Sequence, residues 1–454
     1  MTTPIKIKRG LDIRLQGKAE RIRLPEKIHP SIYALTPEDY HAIPPKLLVK
    51  EGDAVKAGSV LFIDKKQPEI KFVSPVSGTV SSILRGEKRK LLRLEIKADF
   101  TVEYEDFGIK DVKSLSGDEI KKSLLNAGIW PYIKQRPYDV IADPKDMPRD
   151  IFISGFDSAP LAPDIDFVLQ DGEKDFQTGL DALAKLTAGK VYLGISPETS
   201  SPALLEAKNV IIELFKGPHP AGNVGIQIHH VAPLNKGETV WVIHPADVLF
   251  VGRLFNKGIA DFTRTVALTG SEMLQRGYCD MIVGANIEGA FEVSSGKHLR
   301  YISGNVLTGK RIEPDGYLGA YDNQITVIPE GDEKNELFGW ISPGFTKYSV
   351  SRSFMTRLIT MFDRSKEYVI DARIKGGKRA IIMSDEYEKV FPMDILPEFL
   401  LKAVIAFDIE KMENLGIYEV APEDFALCEF VDTSKLEIQR IIREGLDKLR
   451  VEMN

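Results

Sequence analysis

The sequence has few cysteines and no arrangement of them that suits a metal. Its two cysteines, Cys279 and Cys428, are too few for a disulfide framework. No CxxC pair or Cys/His cluster offers the ligand spacing of a zinc or iron–sulfur site. Both facts favour a reducing compartment, and we therefore expect a cytoplasmic protein.

Long apolar runs and an excess of one charge are also missing. The amino terminus, MTTPIKIKRGLDIRLQG, is positively charged, but no apolar segment follows it, and no run approaches the ~18 apolar residues of a spanning helix. The net charge is −6, with basic and acidic residues mixed along the chain, which gives no electrostatic footprint for nucleic acid. We expect a protein that is neither secreted nor integral to a membrane and that has no nucleic-acid partner.

The chain is long enough for several domains, and its pattern changes along its length. A length of 454 residues with 43% hydrophobic content suggests roughly three packed domains. Short β-type runs between turn residues predict an all-β unit, and alternating strands and helices predict a βαβ arrangement, with an irregular α+β domain as the alternative. The predicted segments are an extended arm at 1–30, the all-β unit at 31–98, the βαβ segment at 99–250, a second β-rich module at 251–330 and a helical end at 331–454.

The stretch KFVSPVSGTVSSI contains the turn chemistry of a carrier domain. Its core, SPVSGTV at 74–80, is typical of biotinyl and lipoyl domains, whose modified lysine stands at the tip of a tight hairpin. The candidates Lys65 and Lys66 lie slightly too far from Gly78 for that role, and Pro68 stiffens the segment beside them. We predict a carrier-type β fold without a swinging arm, with modification at either lysine as the alternative.

The run GNVLTGKR at 304–311 imitates a phosphate-binding loop. It has the GxxxxGK spacing, but Arg311 replaces the hydroxyl residue that would hold magnesium. Glu313-Pro314 follows where a helix should begin, so no helix dipole is expected to face a phosphate. We interpret the run as an ordinary loop.

Four histidines, His219, His229, His230 and His244, fall in one region. We interpret the run 226–231 as a strand, on which the neighbours His229 and His230 point to opposite faces and cannot easily share a metal. Hydrogen-bonded structural histidines are the prediction. The nearby loop GPHPAGNVG lacks the GxGxxG spacing of a dinucleotide site.

Five segments of the chain are distinctive when they are taken together: KIKRGLD at 6–12, SPVSGTV at 74–80, GPHPAGNVG at 217–225 with His229, VGRLFNKG at 251–258 and FPMDILP at 391–397. They closely resemble the A-subunit family of the sodium-translocating NADH:quinone reductase, over nearly the whole chain. The same superfamily includes the C subunit of the Rnf complex and the flavoprotein subunit of respiratory complex I. The resemblance implies a multidomain α/β and β protein with a barrel-sandwich hybrid (biotinyl/lipoyl-like) domain at 31–98, a Rossmann-like domain at 99–250, an SLBB-like β-grasp domain at 251–330 and a ferredoxin-derived helical domain at 331–454.

The flavin site of those relatives should be absent here. They carry a phrase like AGIxGxGGAGFP, whose glycine amides approach the flavin phosphate. This chain has AGIWPYIKQRP at 127–137, where long side chains replace the glycines and Pro131 removes an amide donor. We expect no flavin mononucleotide bound as in the relatives.

The iron–sulfur sites of the Rnf protein should also be absent. Aligned on Pro392, its first cluster motif falls on Ile381, Ser384, Tyr387 and Phe391, none of which can ligate iron. Its second motif retains only Cys428, and a cubane cluster needs four thiolates. We expect a helical scaffold without a metal, in which Cys428 is a small core residue.

The resemblance implies a peripheral cytoplasmic subunit on the inner face of the bacterial inner membrane, in a complex that passes electrons from NADH to ubiquinone and drives sodium outward. Its expected partners are the membrane-embedded B subunit, the other subunits and ubiquinone. No covalently bound cofactor, catalytic residue or metal is predicted. The candidate quinone-binding residues are Trp130, Tyr132, Lys134 and Arg136, which refill the former flavin pocket. The alternatives are that these side chains merely plug that pocket, and that the chain is a docking scaffold with no redox role.

Overall fold

The computed structural model describes residues 3–25, 28–332, 344, 347–350 and 365–453. Within these ranges, no helix combines the length and the apolar character needed to cross a membrane. The predicted helical end at 331–454 lies partly outside the described residues. Its described part is helical from Pro397 onward.

The N-terminal β unit, residues 32–98, consists of two small antiparallel sheets that enclose a shared apolar core. One sheet has the order β2-β8-β7-β4 and the other the order β3-β5-β6. The motif at 74–80 forms the turn into β7, and Gly78 there adopts a φ of 156°, close against the backbone of Lys97. The strands are β2 Ile32–Leu35, β3 Pro45–Leu47, β4 Ala54–Val55, β5 Val60–Asp64, β6 Lys71–Val73, β7 Gly78–Arg85 and β8 Leu91–Ala98.

The α/β unit, residues 117–257, contains a seven-stranded mixed sheet of order β1-β13-β12-β11-β14-β9-β10. Strands β13, β12, β11 and β14 run parallel, whereas β9 and β10 are antiparallel, and β1 of the N-terminal arm extends the edge beside β13. The βαβ prediction is therefore confirmed for the parallel strands. The strands are β1 Ile5–Lys6, β9 Lys134–Arg136, β10 Val140–Ile141, β11 Ile151–Ser154, β12 Val191–Ile195, β13 Ile211–Lys216 and β14 Val240–Val242.

Two of the helices in the α/β unit have well-defined ends. Ser116 and Glu119 form a reciprocal capping box at the start of α1, and Pro245 opens α6, which ends at Gly258 in the left-handed conformation. The helices are α1 Gly117–Asn126, α2 Ile165–Val168, α3 Glu173–Leu183, α4 Pro202–Leu205, α5 Val224–Val231 and α6 Pro245–Lys257.

The central β unit, residues 263–329, is a five-stranded sheet of order β16-β15-β19-β17-β18. Strands β15 and β19 are parallel and the other pairs are antiparallel. Its strands are β15 Thr263–Thr269, β16 Gly277–Ile282, β17 Leu299–Ser303, β18 Lys310–Ile312 and β19 Gln324–Pro329.

The C-terminal helical unit, residues 397–453, has its own apolar core, in which the Cys428 side chain is fully buried. This core is continuous with residues of the N-terminal arm such as Ile7 and Ile13. The helices are α7 Pro397–Ala406, α8 Ile409–Asn414, α9 Ala426–Val431 and α10 Ile438–Met453.

Helices α3 and α6 approach each other closely because glycines stand at their contact. A Cβ added at Gly252 would overlap the carbonyl oxygen of Asp175, and one at Gly179 would meet Val248. This contact fixes α6 against the sheet and so fixes where α6 begins.

We predict that Gly252→Ala lowers the free energy of unfolding by roughly 1–3 kcal/mol, because the methyl group forces the two helices apart. The matched control is Gly377→Ala, where an added Cβ meets nothing within 4 Å. Urea denaturation followed by circular dichroism measures both. Equal stability of the two variants would contradict the close-packing argument.

Candidate functional site

A cavity of about 610 Å³ lies at the carboxyl ends of β11 and β14. The chain proceeds from β11 through β12 to β13 on one side of the sheet, whereas β14 lies on the other side of β11. The strand order therefore reverses between β11 and β14, and open α/β sheets bind ligands at such a reversal. We call this space the switch-point cavity.

All four structural units contribute to the walls of the switch-point cavity, the N-terminal β unit through His41 alone. The α/β unit supplies the ends of β11 and β14 and the starts of α5 and α6. The central β unit supplies two loops, and the C-terminal helical unit closes a third side. The residues that line it include Tyr132, Lys134, Asp157, His219, His244, Asp247, Gly304, Tyr321, Asp322, Asn323, Glu423 and Arg443.

Two buried arginines hold these walls together. Arg136 on β9 places Nη1 2.7 Å from Asp424 Oδ2 of the C-terminal helical unit, and both side chains are at most 1% exposed. Arg264 on β15 places Nη2 2.7 Å from Asp247 Oδ1 on α6, and this pair is equally buried. Each pair thus joins the α/β unit to one neighbour at the cavity's edge.

The Lys134 side chain is the cation of the cavity that is best placed to meet a ligand. Its Nζ atom lies 4.3 Å from the centre of the Tyr321 ring. Within the described part of the chain, the ammonium forms no hydrogen bond or ion pair, although carboxylates such as Asp322 line the same space. A ligand that offers an acceptor oxygen and a flat ring could use both side chains.

Aromatic rings form the floor beneath Lys134. Tyr132 packs edge-on to Phe250 at 5.2 Å and to Tyr321 at 5.6 Å between ring centres. Burial raises the pKa of the Tyr132 phenol, so it stays protonated at neutral pH. The Tyr321 hydroxyl donates to the carbonyl of Pro131 at 2.7 Å, which fixes its ring.

Burial also changes the charge of two groups where α6 begins. It raises the pKa of Asp247 to about 6, against the opposing effect of Arg264. It lowers the pKa of His244 to about 3, and Arg264 adds to that shift. His244 is therefore neutral, and its Nδ1 accepts a hydrogen bond from the amide of Ala246 at 3.2 Å, which caps α6.

The structure brings two of the four candidate residues to the cavity. Tyr132 and Lys134 line it. Trp130 is fully buried behind them, where its Nε1 donates to the Ala142 carbonyl at 2.8 Å and its ring packs edge-on to Trp241. Arg136 is engaged in its buried ion pair with Asp424.

Sequence reasoning missed the residues that the central β unit contributes, because nothing local connects them to the α/β unit. Tyr321 and Asn323 precede β19, far along the chain from Lys134. The run 304–311 resembles a phosphate-binding loop in sequence only. Strand β18 lies at its end, which confirms the expectation that no helix begins there. Its first residue, Gly304, lines the cavity.

The strand interpretation of 226–231 is wrong, because these residues form α5. The preceding loop turns the chain at Asn223, and the helix lies on the sheet with Ile226 and Ile228 buried. Both neighbouring histidines are hydrogen-bonded, as predicted: His229 Nδ1 lies 2.7 Å from Glu419 Oε2, and His230 Nδ1 lies 2.8 Å from the Ile226 carbonyl.

Models of known protein families match three of the structural units. The match covers residues 5–99 with the NqrA N-terminal barrel-sandwich hybrid domain, residues 115–260 with the NqrA second alpha/beta domain, and residues 265–313 with the NQRA C-terminal domain, which is of SLBB type. The N-terminal β unit is thus a barrel-sandwich hybrid and the central β unit is SLBB-like, as predicted.

Full-length relatives agree with the family models. The chain is 36% identical to the A subunit of the Na(+)-translocating NADH-quinone reductase of Neisseria meningitidis (strain Z2491) and to that of Pasteurella multocida, and 37% identical to that of Yersinia pseudotuberculosis. Each alignment covers 99% of this chain and 100% of the relative. A solved chain of an NAD+-reducing [NiFe]-hydrogenase is 12% identical with a TM-score of 0.37, over 78% of this chain and 67% of that one. The full-length identity and the matched domains are decisive: the chain belongs to the NqrA family, the A subunits of the Na+-translocating NADH-quinone reductase, an oxidoreductase complex.

Proposed function

We propose that the switch-point cavity binds the headgroup of ubiquinone, and that the chain serves its complex as a peripheral component on the cytoplasmic face of the bacterial inner membrane. In this role it contributes to quinone reduction by electrons from NADH, coupled to sodium export. Its relatives are A subunits of a Na(+)-translocating NADH-quinone reductase, which supports a quinone as the substrate class. The membrane-embedded B subunit is the proposed principal partner.

The observation that carries the proposal is the Lys134 ammonium held over the Tyr321 ring inside a partly apolar cavity. A quinone needs a flat apolar surface for its ring and a donor for its carbonyl oxygens. Tyr321 and Tyr132 offer the surface and Lys134 offers the donor. Reduction places negative charge on the quinone oxygens, and a nearby cation stabilises that charge more than it stabilises the neutral ring.

The other two candidate residues fit supporting roles. Trp130 is fully buried and packs edge-on against Trp241, and Arg136 fixes the strand that carries Lys134 through its pair with Asp424. We propose that Tyr132 and Lys134 contact the quinone, whereas Trp130 and Arg136 position them.

We also propose that this chain has lost the flavin and iron–sulfur sites of its relatives. We infer that the α/β unit is Rossmann-like and descends from a flavin-binding domain, because Trp130, Pro131 and Tyr132 are buried where glycines would approach a phosphate. We infer a ferredoxin origin for the C-terminal helical unit. Just before this unit, the Tyr387 hydroxyl donates to Asp432 at 2.9 Å and the Ser384 hydroxyl donates to Glu398 at 3.1 Å, so both positions of the former cluster motif form protein contacts.

We predict that Lys134→Met raises the Kd of a short-chain ubiquinone about tenfold, because one charge-assisted hydrogen bond is lost. Quenching of tryptophan fluorescence reports binding, since Trp241 directly precedes the cavity residue Val242. Lys66→Met is the matched control: Lys66 is exposed on the N-terminal β unit, and its loss should leave the Kd unchanged.

Two results would contradict this function. Saturable quenching with the same Kd in Lys134→Met and the unaltered protein would remove Lys134 from the site. No saturable quenching by any quinone would favour the alternative in which the chain is a docking scaffold without a redox role.

We predict that the purified chain has no flavin or iron–sulfur absorbance and the mass of its unmodified sequence. The turn that carries Lys65 and Lys66 is held against the α/β unit, since Gln67 Nε2 donates to Asp143 Oδ2 at 2.6 Å, which hinders a modifying enzyme. Protein from cells able to lipoylate and biotinylate should be used for absorbance and intact mass. A lipoyl or biotinyl mass increment would restore the carrier hypothesis, and a flavin band would overturn the lost-site argument.

A further inference from the structure

We propose that residues 84–93 form a basic ribbon that contacts the surface of a bilayer containing anionic phospholipid. The sequence there, LRGEKRKLLR, holds five basic residues and one acidic residue in a chain whose net charge is −6. The proposal rests on the proposed placement at a membrane, but not on quinone binding or on the switch-point cavity.

The basic ribbon extends beyond its own sheet. Strand β4 pairs with β7 only at Gly78 and Thr79, and β2 pairs with β8 only from Leu94 to Lys97. Past those points, strand pairing among the described residues joins the ribbon only to itself, with Leu84 opposite Arg93 and Arg85 opposite Leu91. Among the described residues, no further strand covers the edges of this extension.

The charges at the tip of the basic ribbon are available to a ligand. Arg85, Lys88, Arg89 and Lys90 are all exposed. Lys90 forms one loose ion pair, with Nζ 3.7 Å from Glu38 and both side chains more than 60% exposed, which contributes little. Arg93, at the base, is instead held by Glu95 at 2.7 Å and is not part of the proposed contact.

Apolar side chains flank this charge. Leu84 is 44% exposed and Leu92 is 36% exposed. Both border one open groove, which Glu38 and Asp39 of the same unit also line. Basic residues beside exposed leucines match an anionic bilayer, where cations meet the phosphates and leucines enter the headgroup region. We favour an anionic bilayer because the ribbon offers cations and exposed leucines together, and an acidic protein partner is an outcome of the test.

The test is co-sedimentation of the full chain with vesicles that contain no quinone. Binding to vesicles of phosphatidylcholine and phosphatidylglycerol in equal parts is expected to exceed binding to phosphatidylcholine alone, and to weaken as salt is added. Lys88→Glu with Arg89→Glu should weaken binding on the order of tenfold or more. The matched control is Lys65→Glu with Lys66→Glu, which makes the same change in net charge on another exposed turn of the same unit and should retain binding.

Two further variants test the apolar part. Leu84→Ser with Leu92→Ser should weaken vesicle binding while its salt dependence stays that of the unaltered protein. Lys88→Gln with Arg89→Gln provides a milder charge change if the Glu variant fails to fold.

Three results would overturn the proposal. They are no preference for anionic vesicles, equal loss of binding in the Lys65/Lys66 and Lys88/Arg89 variants, and binding to soluble polyglutamate without binding to vesicles, which would assign the ribbon to an acidic protein partner. The vesicles contain no quinone, so the vesicle experiment and the quinone titration are independent. A negative result in one of them does not decide the other.

Discussion

Two buried ion pairs fix how the α/β unit meets its neighbours. Arg136 with Asp424 joins it to the C-terminal helical unit, and Arg264 with Asp247 joins it to the central β unit. A buried charge that loses its partner costs roughly 3–5 kcal/mol, so each pair disfavours arrangements in which the units separate. Geometry matters more here than net stability, because well-packed apolar residues can stabilise a contact equally well. Because each ion pair has a preferred direction, it fixes the relative orientation of the two units that it joins. The switch-point cavity is the space left between the units in that orientation.

The sheet of the α/β unit determines where the cavity lies, and the neighbouring units supply many of the side chains that line it. Reversal of strand order between β11 and β14 opens a crevice in any such fold. Here a loop of the central β unit brings the centre of the Tyr321 ring to 4.3 Å from Lys134 Nζ. The site therefore offers aromatic faces and a side-chain cation, which suit the quinone proposed above.

Much of the fold was predictable because its signals are local. Strands alternating with helices predicted the parallel part of the α/β unit, a helical end was predicted where α7 and α10 lie, and the SPVSGTV turn predicted the barrel-sandwich unit. One wrong prediction was the strand at 226–231. Helix α5 is short and apolar around much of its circumference, so its sequence resembles that of a buried strand. Tyr132 and Lys134 were accessible through the altered glycine phrase. Tyr321 was not, because only the tertiary contact between two units places it there, and the boundaries predicted for the domains stay predictions.

The central claim is that a quinone binds between the α/β unit and the central β unit, and photoaffinity labelling of the purified complex tests it most directly. A photoreactive ubiquinone analogue, followed by mass spectrometry of the digested proteins of the complex, should label peptides that contain Tyr132–Lys134 and Tyr321–Asn323. Excess ubiquinone should compete with that labelling. Competed labelling confined to the other proteins of the complex would contradict the account.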